Sequence, residues 1–218
     1  MVRAIMADLI LVRHGQSTFN ESNRFTGKID APLTMQGRRD ALKTAQVLLL
    51  NGIHIDFAAA SSLRRASETG YLCRDELERG GHPYFEIEET DALQERSYGI
   101  LEGLEKPRIK KRLKDSTINR LLHTYSGRVY CGESYKSLIE GRTGQYIHEE
   151  IMPRLKAGKN VALFSHRNTI GALLIHFGIA TAEQVRQIPI KNGRPLVLNV
   201  DAQGRVKRNF RTLRFAGL

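Results

Sequence analysis

Two histidines stand directly after short apolar segments, a position in which active-site residues are common. Arg13 and His14 follow residues 9–12, and His166 comes two positions after residues 161–164. Apolar runs of this length are typical of strands buried in a parallel sheet, and the ligands of open α/β sheets bind beyond the carboxyl ends of the strands. One histidine in such a position is usually structural. Two histidines in the same relation to two strands favour a shared catalytic crevice.

The chemistry that suits this arrangement is phosphoryl transfer. A neutral imidazole nitrogen is nucleophilic near pH 7, unlike an unassisted serine hydroxyl. The transferring group needs positioning and compensation of its charge, which arginine supplies with fixed geometry. Arg13 adjoins His14, and Arg65 begins a predicted helix directly after a predicted strand at residues 57–60. We therefore predict a phosphoryl-transfer site in which a histidine receives the phosphoryl group, with Arg13 and Arg65 at the same edge of a sheet.

The elements that must position these residues alternate along the chain. The sequence predicts strands at residues 9–12, 57–60, 84–87 and 161–164, and a terminal hairpin at 196–200 and 206–210. It predicts helices at residues 35–50, 63–77, 106–122, 134–155 with a break at 152–153, and 169–177. There are no repeats or low-complexity linkers. The alternation predicts one α/β domain over residues 1–218, with an open, mostly parallel sheet and helices on both faces.

The composition favours an anionic partner. The 218 residues include 34 Lys plus Arg and 23 Asp plus Glu, which gives a formal net charge of +11. Such an excess suits phosphorylated metabolites, nucleic acid or a membrane surface, and it also suits a solvated basic surface without a specific partner. The densest basic run, residues 106–114, has no interleaved aromatic side chain and no nucleic-acid-binding motif occurs. We therefore expect a small phosphorylated substrate and no nucleic acid partner.

Other sequence features indicate a cytoplasmic protein without a metal. Cys73 and Cys131 lie far apart and lack the spacing of metal ligands, so we expect two reduced thiols. The N-terminal segment is too short and too soon interrupted by charge for a signal peptide. The apolar residues 170–179 fall short of a membrane span, so no membrane partner is expected. Monomer and homo-oligomer both remain open.

A longer series of motifs covers most of the chain. It begins with Leu-Val-Arg-His-Gly-Gln-Ser-Thr-Phe-Asn at residues 11–20 and continues through 23–27, 61–69, 95–106, 132–134 and 166–168. In content and order this series resembles the histidine phosphatase superfamily. Three parts of it are most similar to the 2,3-bisphosphoglycerate-dependent phosphoglycerate mutases of shorter form, at residues 25–27, 95–106 and 192–197. The resemblance implies a phosphoglycerate mutase-like fold.

The resemblance also implies a role for each matching residue. His14 would be the phosphorylated nucleophile, and Glu95 would be the general acid and base. Three further catalytic residues would clamp the phosphoryl group: Arg13, Arg65 and His166. Substrate-binding residues would be Ser17, Asn20, Thr26, Gly27, Tyr98, Lys106 and Asn168. Structural interpretations stay open for some of them, namely Tyr98 as a packing residue, Lys106 as the start of a solvated helix, and residues 26–27 as a turn.

The function that the resemblance implies is the interconversion of 3-phosphoglycerate and 2-phosphoglycerate. The reaction would pass through phosphohistidine primed by 2,3-bisphosphoglycerate as cofactor, without a metal. One alternative is a phosphatase of the same type that acts on another small phosphorylated metabolite. A second alternative is a non-catalytic module that binds phosphorylated ligands. The presence of both His14 and Glu95 argues against the second alternative, because a silent site needs no acid or base.

Two departures from the mutase pattern fall on substrate recognition. Arg167 stands where the mutases usually have glycine, and it would either strengthen substrate binding or block a close backbone contact. Leu122 and His123 stand where the mutases usually carry paired arginines. Arg120 and Arg128 lie nearby in sequence and are candidates to compensate.

Overall fold

Six strands form one mixed sheet in the computed structural model, which describes residues 6–213. The strands are β1 (Met6–Arg13), β2 (Phe57–Ser61), β3 (Ile87–Thr90), β4 (Val161–Ser165), β5 (Leu196–Asp201) and β6 (Val206–Thr212). Their order in the sheet is β3-β2-β4-β1-β5-β6. Strands β3, β2, β4 and β1 run parallel to one another. Strands β5 and β6 form an antiparallel hairpin at the edge next to β1. The predicted mostly parallel sheet is confirmed.

The helices that surround the sheet are mostly short. They are α1 (Thr18–Glu21), α2 (Met35–Leu50), α3 (Arg64–Arg79), α4 (Lys106–Arg112), α5 (Asp115–Leu122), α6 (Tyr135–Glu140), α7 (Arg142–Tyr146), α8 (Met152–Lys156), α9 (Arg167–His176) and α10 (Ala182–Val185). Two 3₁₀ helices, Asp91–Leu93 and Gly99–Leu101, and a π-helical segment, Ile147–Ile151, complete the set. Thr34 caps α2, and its hydroxyl accepts the Gly37 N–H at 3.1 Å.

Helices cover both faces of the sheet. Alternate residues of each strand point to opposite sides, so each strand packs against helices on both faces. On β1, Leu9 and Leu11 belong to a core cluster with buried residues of α6 and α9. Ile10 and Val12 belong to the opposite cluster, which includes buried residues of α2 and α3. All four side chains are fully buried. The predicted α/β fold with helices on both faces is therefore confirmed.

Two predicted elements differ from the structure near the middle of the chain. The strand predicted at residues 84–87 begins only at Ile87, because β3 pairs with β2 from Ala58 opposite Ile87 onwards. The helix predicted at residues 106–122 is divided into α4 and α5 by extended backbone at Leu113 and Lys114. Leu113 packs against a small apolar cluster, which interrupts the helix.

The long helix predicted at residues 134–155 is also divided. Gly141 adopts a non-helical conformation (φ −111°, ψ −137°) between α6 and α7. A π-helical turn precedes α8, and Pro153 lies in the first turn of α8. Because proline has no N–H to donate to the preceding π-helical turn, the regular hydrogen-bond pattern of the helix is broken at this point.

A third apolar cluster stands apart from the two sheet faces. It consists of buried residues of α4, α5 and the 3₁₀ helix Gly99–Leu101 together with two residues from loops, and we call it the cap cluster: Phe25, Leu101, Ile109, Ile118, Leu122 and Val129. The predicted domain also includes residues 1–5 and 214–218, which lie outside the described residues. Within residues 6–213, no helix has both the length and the apolar character needed to cross a membrane. Cytoplasmic location stays a prediction.

Candidate active site

The two histidines of the sequence prediction meet at the carboxyl ends of neighbouring parallel strands. Arg13 at the end of β1 lies opposite Ser165 at the end of β4. The His14 N–H donates to the Ser165 carbonyl oxygen at 2.9 Å, which fixes the start of one loop against the other strand. The centroids of the His14 and His166 rings are 5.0 Å apart, with an interplanar angle of 57°. The predicted convergence of the two histidines is confirmed.

The protonation of His14 is set by its own loop. Nδ1 lies 2.6 Å from the Gly15 carbonyl oxygen. Because a carbonyl oxygen only accepts hydrogen bonds, Nδ1 carries the ring proton and Nε2 keeps a free lone pair. Burial lowers the pKa of His14 well below its usual range, and the charges of Arg65 and Arg13 lower it further. His14 is therefore a neutral imidazole near pH 7, with Nε2 as the nucleophilic atom.

Close backbone packing holds the His14 loop in place. The Gly15 N–H donates to the Thr69 hydroxyl of α3 at 3.0 Å. A Cβ atom on Gly15 would lie 2.1 Å from the Gly37 carbonyl oxygen, and a Cβ on Gly37 would lie equally close to the Gln16 carbonyl oxygen. The loop thus lies directly against the first turn of α2. Both glycines are required by this contact between backbones.

His166 is oriented by a third strand end. Its Nε2 lies 2.8 Å from the hydroxyl of Ser61, the last residue of β2. The Ser61 hydroxyl accepts the Leu63 N–H at 3.2 Å and is free to donate its own proton to Nε2. This arrangement puts the remaining ring proton of His166 on Nδ1, which has no partner within residues 6–213. Burial, followed by the charge of Arg65, lowers the pKa of His166 well below its usual range. A neutral His166 can donate one hydrogen bond to an anion.

The two predicted arginines bring positive charge to the same place. Arg65 is fully buried, and its terminal nitrogens donate to the Ile29 and Gly27 carbonyl oxygens, each at 2.8 Å. Arg13 donates to the Ile190 carbonyl oxygen at 3.0 Å. Burial lowers the pKa of each arginine to about 10, so both remain charged near pH 7. Among the described residues, neither is in a salt bridge, and the Nε of each is buried without a partner. Such a pocket is suited to an anionic ligand.

The cavity around His14, which we call the phosphoryl pocket, is small and contains one carboxylate among its described lining residues. Its volume is about 50 Å³. Glu95 is 7% exposed, and its Oε1 accepts the N–H groups of Arg96 at 2.9 Å and Asn168 at 3.2 Å. Lining residues are Arg13, His14, Asn20, Thr26, Gly27, Arg65, Glu95, Tyr98, Lys106, Arg167 and Asn168. Glu95 thus lines the same cavity as His14, and its role as general acid and base stays a prediction.

Six of the seven predicted substrate-binding residues line this pocket, and Ser17 is the seventh. The Ser17 hydroxyl caps α1 by accepting the Asn20 N–H at 3.2 Å, and the Asn20 side chain accepts the Ser17 N–H in return. Ser17 is fully buried in this capping box. It therefore holds Asn20 at the pocket, and a direct role in substrate binding stays a prediction.

Asn168 and Tyr98 form part of a buried polar network. The Asn168 amide nitrogen donates to the Tyr98 hydroxyl at 2.8 Å, and the Tyr135 hydroxyl donates to the Asn168 amide oxygen at 3.2 Å. Tyr98 also packs edge-on against Phe25, with ring centroids 5.0 Å apart. Tyr98 thus packs against Phe25 and also lines the pocket, and its role in substrate binding stays a prediction. The Lys106 ammonium lies 5.8 Å from the Phe25 ring centroid, and burial lowers the pKa of Lys106. Lys106 is therefore a pocket residue at the start of α4.

Two site residues were not predicted from the sequence. Arg96 is 1% exposed and lies between the rings of Tyr98 and Tyr135, with its guanidinium carbon 5.3 and 4.8 Å from their centroids. Its Nε and one terminal nitrogen are buried without a partner within the described part of the chain. The signal for Arg96 was its place beside Glu95. Asn192 donates to the His14 carbonyl oxygen at 2.8 Å and so supports the nucleophile from outside the pocket.

A second cavity of about 220 Å³ adjoins the phosphoryl pocket, with which it shares Tyr98, Lys106, Arg167 and Asn168. Four residues of the cap cluster line it: Phe25, Ile109, Ile118 and Leu122. His123 also lines it, and its pKa is lowered to about 4 by partial burial and by the charge of Arg186. Arg120 and Arg128 are exposed and line neither cavity. The structure therefore gives no support to compensation by these two arginines.

The remaining chemistry-bearing groups lie outside the two cavities. Within residues 6–213, no group of three or more His, Cys, Asp or Glu side chains could hold a metal ion. Cys73 is buried and Cys131 is exposed, and both are free thiols. Burial raises the pKa of the Cys73 thiol well above its usual value, so Cys73 is an inert part of the core. The prediction that no metal takes part in the reaction stays a prediction.

The fold and the site together define the class of the protein. The sequence model of the histidine phosphatase superfamily (branch 1) matches residues 9–212, a range that begins in β1 and ends in β6. The chain belongs to the histidine phosphatase superfamily.

Among its relatives are proteins named as mutases. The chain is 36% identical over 200 residues to the 2,3-bisphosphoglycerate-dependent phosphoglycerate mutase of Parvibaculum lavamentivorans, and the match covers 92% of this chain and 93% of the relative. It is 38% identical over 201 residues to 2,3-bisphosphoglycerate-dependent phosphoglycerate mutase 2 of Gloeobacter violaceus, covering 91% and 88%.

Solved structures with the same fold include phosphatases. A mycobacterial glucosyl-3-phosphoglycerate phosphatase aligns with a TM-score of 0.76 at 20% identity, over 94% of this chain and 97% of that chain. YhfR from Bacillus stearothermophilus aligns with a TM-score of 0.76 at 23% identity, over 92% and 94%. At these identities the likeness establishes the fold and leaves the substrate to be argued from the site.

Proposed function

We propose that this protein interconverts 3-phosphoglycerate and 2-phosphoglycerate through a phosphohistidine at His14 that is primed by 2,3-bisphosphoglycerate. The observation that carries the proposal is the closed, cationic pocket around a neutral His14. Arginine and lysine line this pocket at four positions, against a single carboxylate among the described residues. The four cations are Arg13, Arg65, Lys106 and Arg167. A ligand with two phosphates and a carboxylate matches this excess of positive charge.

In the proposed reaction, Nε2 of His14 attacks the phosphorus of one phosphate of the bisphosphorylated ligand. The new N–P bond forms as the ester P–O bond breaks, and the oxygen that leaves takes a proton from the carboxylic acid of Glu95. Arg13, Arg65 and the Nδ1–H of His166 stabilise the charge on the transferring oxygens. In the second half, the other hydroxyl of a monophosphoglycerate attacks the phosphohistidine and gives its proton to Glu95. The bisphosphoglycerate formed in this way then returns its other phosphate to Nε2 of His14, while Glu95 gives its proton back to the oxygen that leaves. This step regenerates the phosphohistidine and releases the isomeric monophosphoglycerate.

The burial of the site supports transfer between ligands over hydrolysis. His14 is 3% exposed and His166 is fully buried. A closed site excludes water, which would otherwise hydrolyse the phosphohistidine and release inorganic phosphate. The relatives that are named as bisphosphoglycerate-dependent mutases, at 36% and 38% identity, support the same reaction. The proposal has no metal and needs no nucleic acid or membrane partner.

The test of this proposal is the conversion of 3-phosphoglycerate to 2-phosphoglycerate by purified protein, with and without added 2,3-bisphosphoglycerate, while free phosphate is monitored. We expect conversion that is stimulated by bisphosphoglycerate and accompanied by little release of phosphate. Phosphate release without isomerisation would reject the mutase and retain the phosphohistidine.

A phosphatase acting on another small phosphorylated metabolite is the second candidate, and one observation favours it. The second cavity is lined by Leu122 and His123 where the mutases usually carry paired arginines. The glucosyl-3-phosphoglycerate phosphatase of the same fold is named for hydrolysis of a larger phosphate ester. If this candidate is right, phosphate is released from a range of monoesters at rates that added bisphosphoglycerate does not change.

A further inference from the structure

The second cavity receives whatever part of a ligand is attached to the phosphoryl group, because it opens from the phosphoryl pocket through four shared residues. One side of this cavity is apolar and is formed by residues of the cap cluster, including Phe25 and Leu122. Cationic side chains also line it, and among the described residues no aspartate or glutamate does. The cavity therefore has an uncompensated positive charge.

Arg167 is the cation that connects the two cavities. It is the first residue of α9 and is only partly exposed, and it lines both the phosphoryl pocket and the second cavity. Its guanidinium donates to the Ile190 and Arg186 carbonyl oxygens at 3.5 and 3.3 Å, which are long hydrogen bonds. Arg167 takes part in no salt bridge within residues 6–213. Its charge is thus left for a ligand.

Arg186 brings a second guanidinium to the same cavity from the end of α10. One of its terminal nitrogens donates to the Asn119 amide oxygen of α5 at 2.8 Å, which connects the side chain to α5. An amide oxygen carries no charge, and no carboxylate of the described residues pairs with Arg186. His123 lines the same cavity as Arg167 and Arg186, and the charges of both arginines contribute to its lowered pKa. His123 is neutral near pH 7 and adds no charge of its own.

We infer that Arg167 and Arg186 form a second anion site, which binds an acidic group carried by the substrate on the carbon skeleton next to its phosphate. This inference rests on the phosphoryl transfer proposed above, and it holds for either a mutase or a phosphatase. The substrate class is a phosphate monoester of a carboxylic acid, or a bisphosphate. The skeleton between the two anions packs against the apolar side of the cavity. Leu122 and His123 provide no positive charge near pH 7. In this site Arg167 of α9 and Arg186 at the end of α10 provide it instead.

The experiment compares two ligands that differ in the carboxylate. 3-Phosphoglycerate and glycerol 3-phosphate have the same three-carbon skeleton and the same phosphate, and only the first has a carboxylate. Their dissociation constants are measured by calorimetry for the wild-type protein and for the variants Arg167→Ala, Arg186→Ala and Arg186→Lys. Arg120→Ala is the matched control, because this arginine is exposed on α5 and lines neither cavity. Thermal unfolding of each variant establishes that it is folded.

We expect Arg186→Ala to weaken the binding of 3-phosphoglycerate by about tenfold to a hundredfold, since it removes a hydrogen bond to a charged group. Its effect on glycerol 3-phosphate stays below about threefold, because most of that ligand's charge lies in the phosphoryl pocket. Arg186→Lys restores part of the affinity. Arg167→Ala weakens both ligands, and 3-phosphoglycerate more, because Arg167 lines both cavities.

Equal weakening of the two ligands by Arg186→Ala, or no weakening of either, would overturn the second anion site while leaving phosphoryl transfer intact. Wild-type protein that binds neither ligand and forms no phosphohistidine would overturn the proposed function itself. The two failures are therefore distinguishable.

Discussion

The phosphoryl pocket and the second cavity share four lining residues and are built in different ways. The phosphoryl pocket lies at the carboxyl ends of β1, β2 and β4. Because β1 and β2 both pair with β4, the ends of these strands bring His14, Ser61 and His166 together. The second cavity is enclosed by short helices and by the small cap cluster. A sheet with helices on both faces holds the reacting groups rigidly, and the loops and short helices beyond it are free to vary with the substrate.

The two regions also differ in how they hold charge. In the phosphoryl pocket, Arg65 is completely buried and makes two hydrogen bonds to backbone oxygens before any ligand arrives. In the second cavity, Arg186 is exposed and is held by one neutral amide. The first arrangement is preorganised for a transition state. The second discriminates among ligands through binding, so changes in the two regions should affect different kinetic constants.

The largest effect is expected for His14→Ala, which removes the nucleophile. Activity should fall by at least about 10⁴-fold, because the imidazole that is positioned to accept the phosphoryl group is removed. Binding of 3-phosphoglycerate should be retained, since the arginines remain. The measurement is mutase turnover together with calorimetry, and His148→Ala on the exposed surface is the control. Turnover within tenfold of the wild-type rate would remove His14 from the mechanism.

Glu95→Gln tests the acid and base separately from the nucleophile. The amide keeps an oxygen that can accept the Arg96 and Asn168 N–H groups, so the local fold should survive. Turnover should fall by about 10²–10⁴-fold because the leaving oxygen loses its proton donor. Ligand affinity in the second cavity should stay unchanged. The measurement is the steady-state kcat of Glu95→Gln. The control is Glu105→Gln, which changes an exposed carboxylate at the start of α4. Equal kcat values for the two variants would reassign the role of Glu95.

Gly15→Ala tests whether the phosphoryl pocket is as rigid as its packing indicates. The added methyl group would lie 2.1 Å from the Gly37 carbonyl oxygen. This oxygen belongs to the backbone, so it cannot move aside as the end of a flexible side chain could. We expect a loss of about 1–3 kcal/mol in the free energy of unfolding and a lower kcat. Affinity for the part of the ligand in the second cavity should change little. Denaturant unfolding and steady-state kinetics provide the measurement, and a variant with wild-type stability and kcat would show that the loop can yield.

The smallest effect concerns pH. The pKa values of His14 and His166 are lowered in the folded state, so below about pH 6.5 the unfolded chain binds protons that the folded chain does not. The free energy of unfolding should therefore fall with decreasing pH, by up to about 1.4 kcal/mol per pH unit for each histidine. This loss begins at the unfolded pKa and ends at the folded one. Urea unfolding from pH 7.5 to 5.5 measures it.

The control for this pH dependence compares histidines of the phosphoryl pocket with His123 of the second cavity. The variant His14→Asn/His166→Asn should flatten the dependence more than His123→Asn does, because His123 is partly exposed and its environment is screened by water. Identical slopes for the wild-type protein and the double variant would contradict the assignment of neutral, buried histidines.

The phosphoryl pocket was largely predictable from the sequence, because its residues follow apolar strands. The runs before His14 and Ser165 are long enough to identify, and parallel neighbours necessarily bring their carboxyl ends together. The mutual approach of Gly15 and Gly37 was not predictable, since it depends on where α2 crosses the loop after β1. The predicted helix boundaries failed at Leu113, which packs against the cap cluster, and at Gly141, because glycine is a poor helix former.

The second cavity was the harder region. Arg167 and Arg186 lie 19 positions apart, and nothing in their spacing shows that α9 and α10 bring them to one cavity. Arg120 and Arg128 were closer in sequence to the missing arginines, and the structure leaves both on the surface. Sequence proximity misled because α5 turns only one of its faces, which carries Ile118 and Leu122, towards the cavity.

The central claim is that His14 carries the phosphoryl group on Nε2. The most direct measurement mixes wild-type protein with 2,3-bisphosphoglycerate, stops the reaction in base, and identifies the linkage by phosphorus NMR and peptide mass spectrometry. We predict one acid-labile phosphoryl group per chain, bonded to Nε2 of His14, because Nδ1 is held by the Gly15 carbonyl oxygen. A phosphoryl group on Nδ1 or on another residue, or turnover without any phosphorylated protein, would contradict the account.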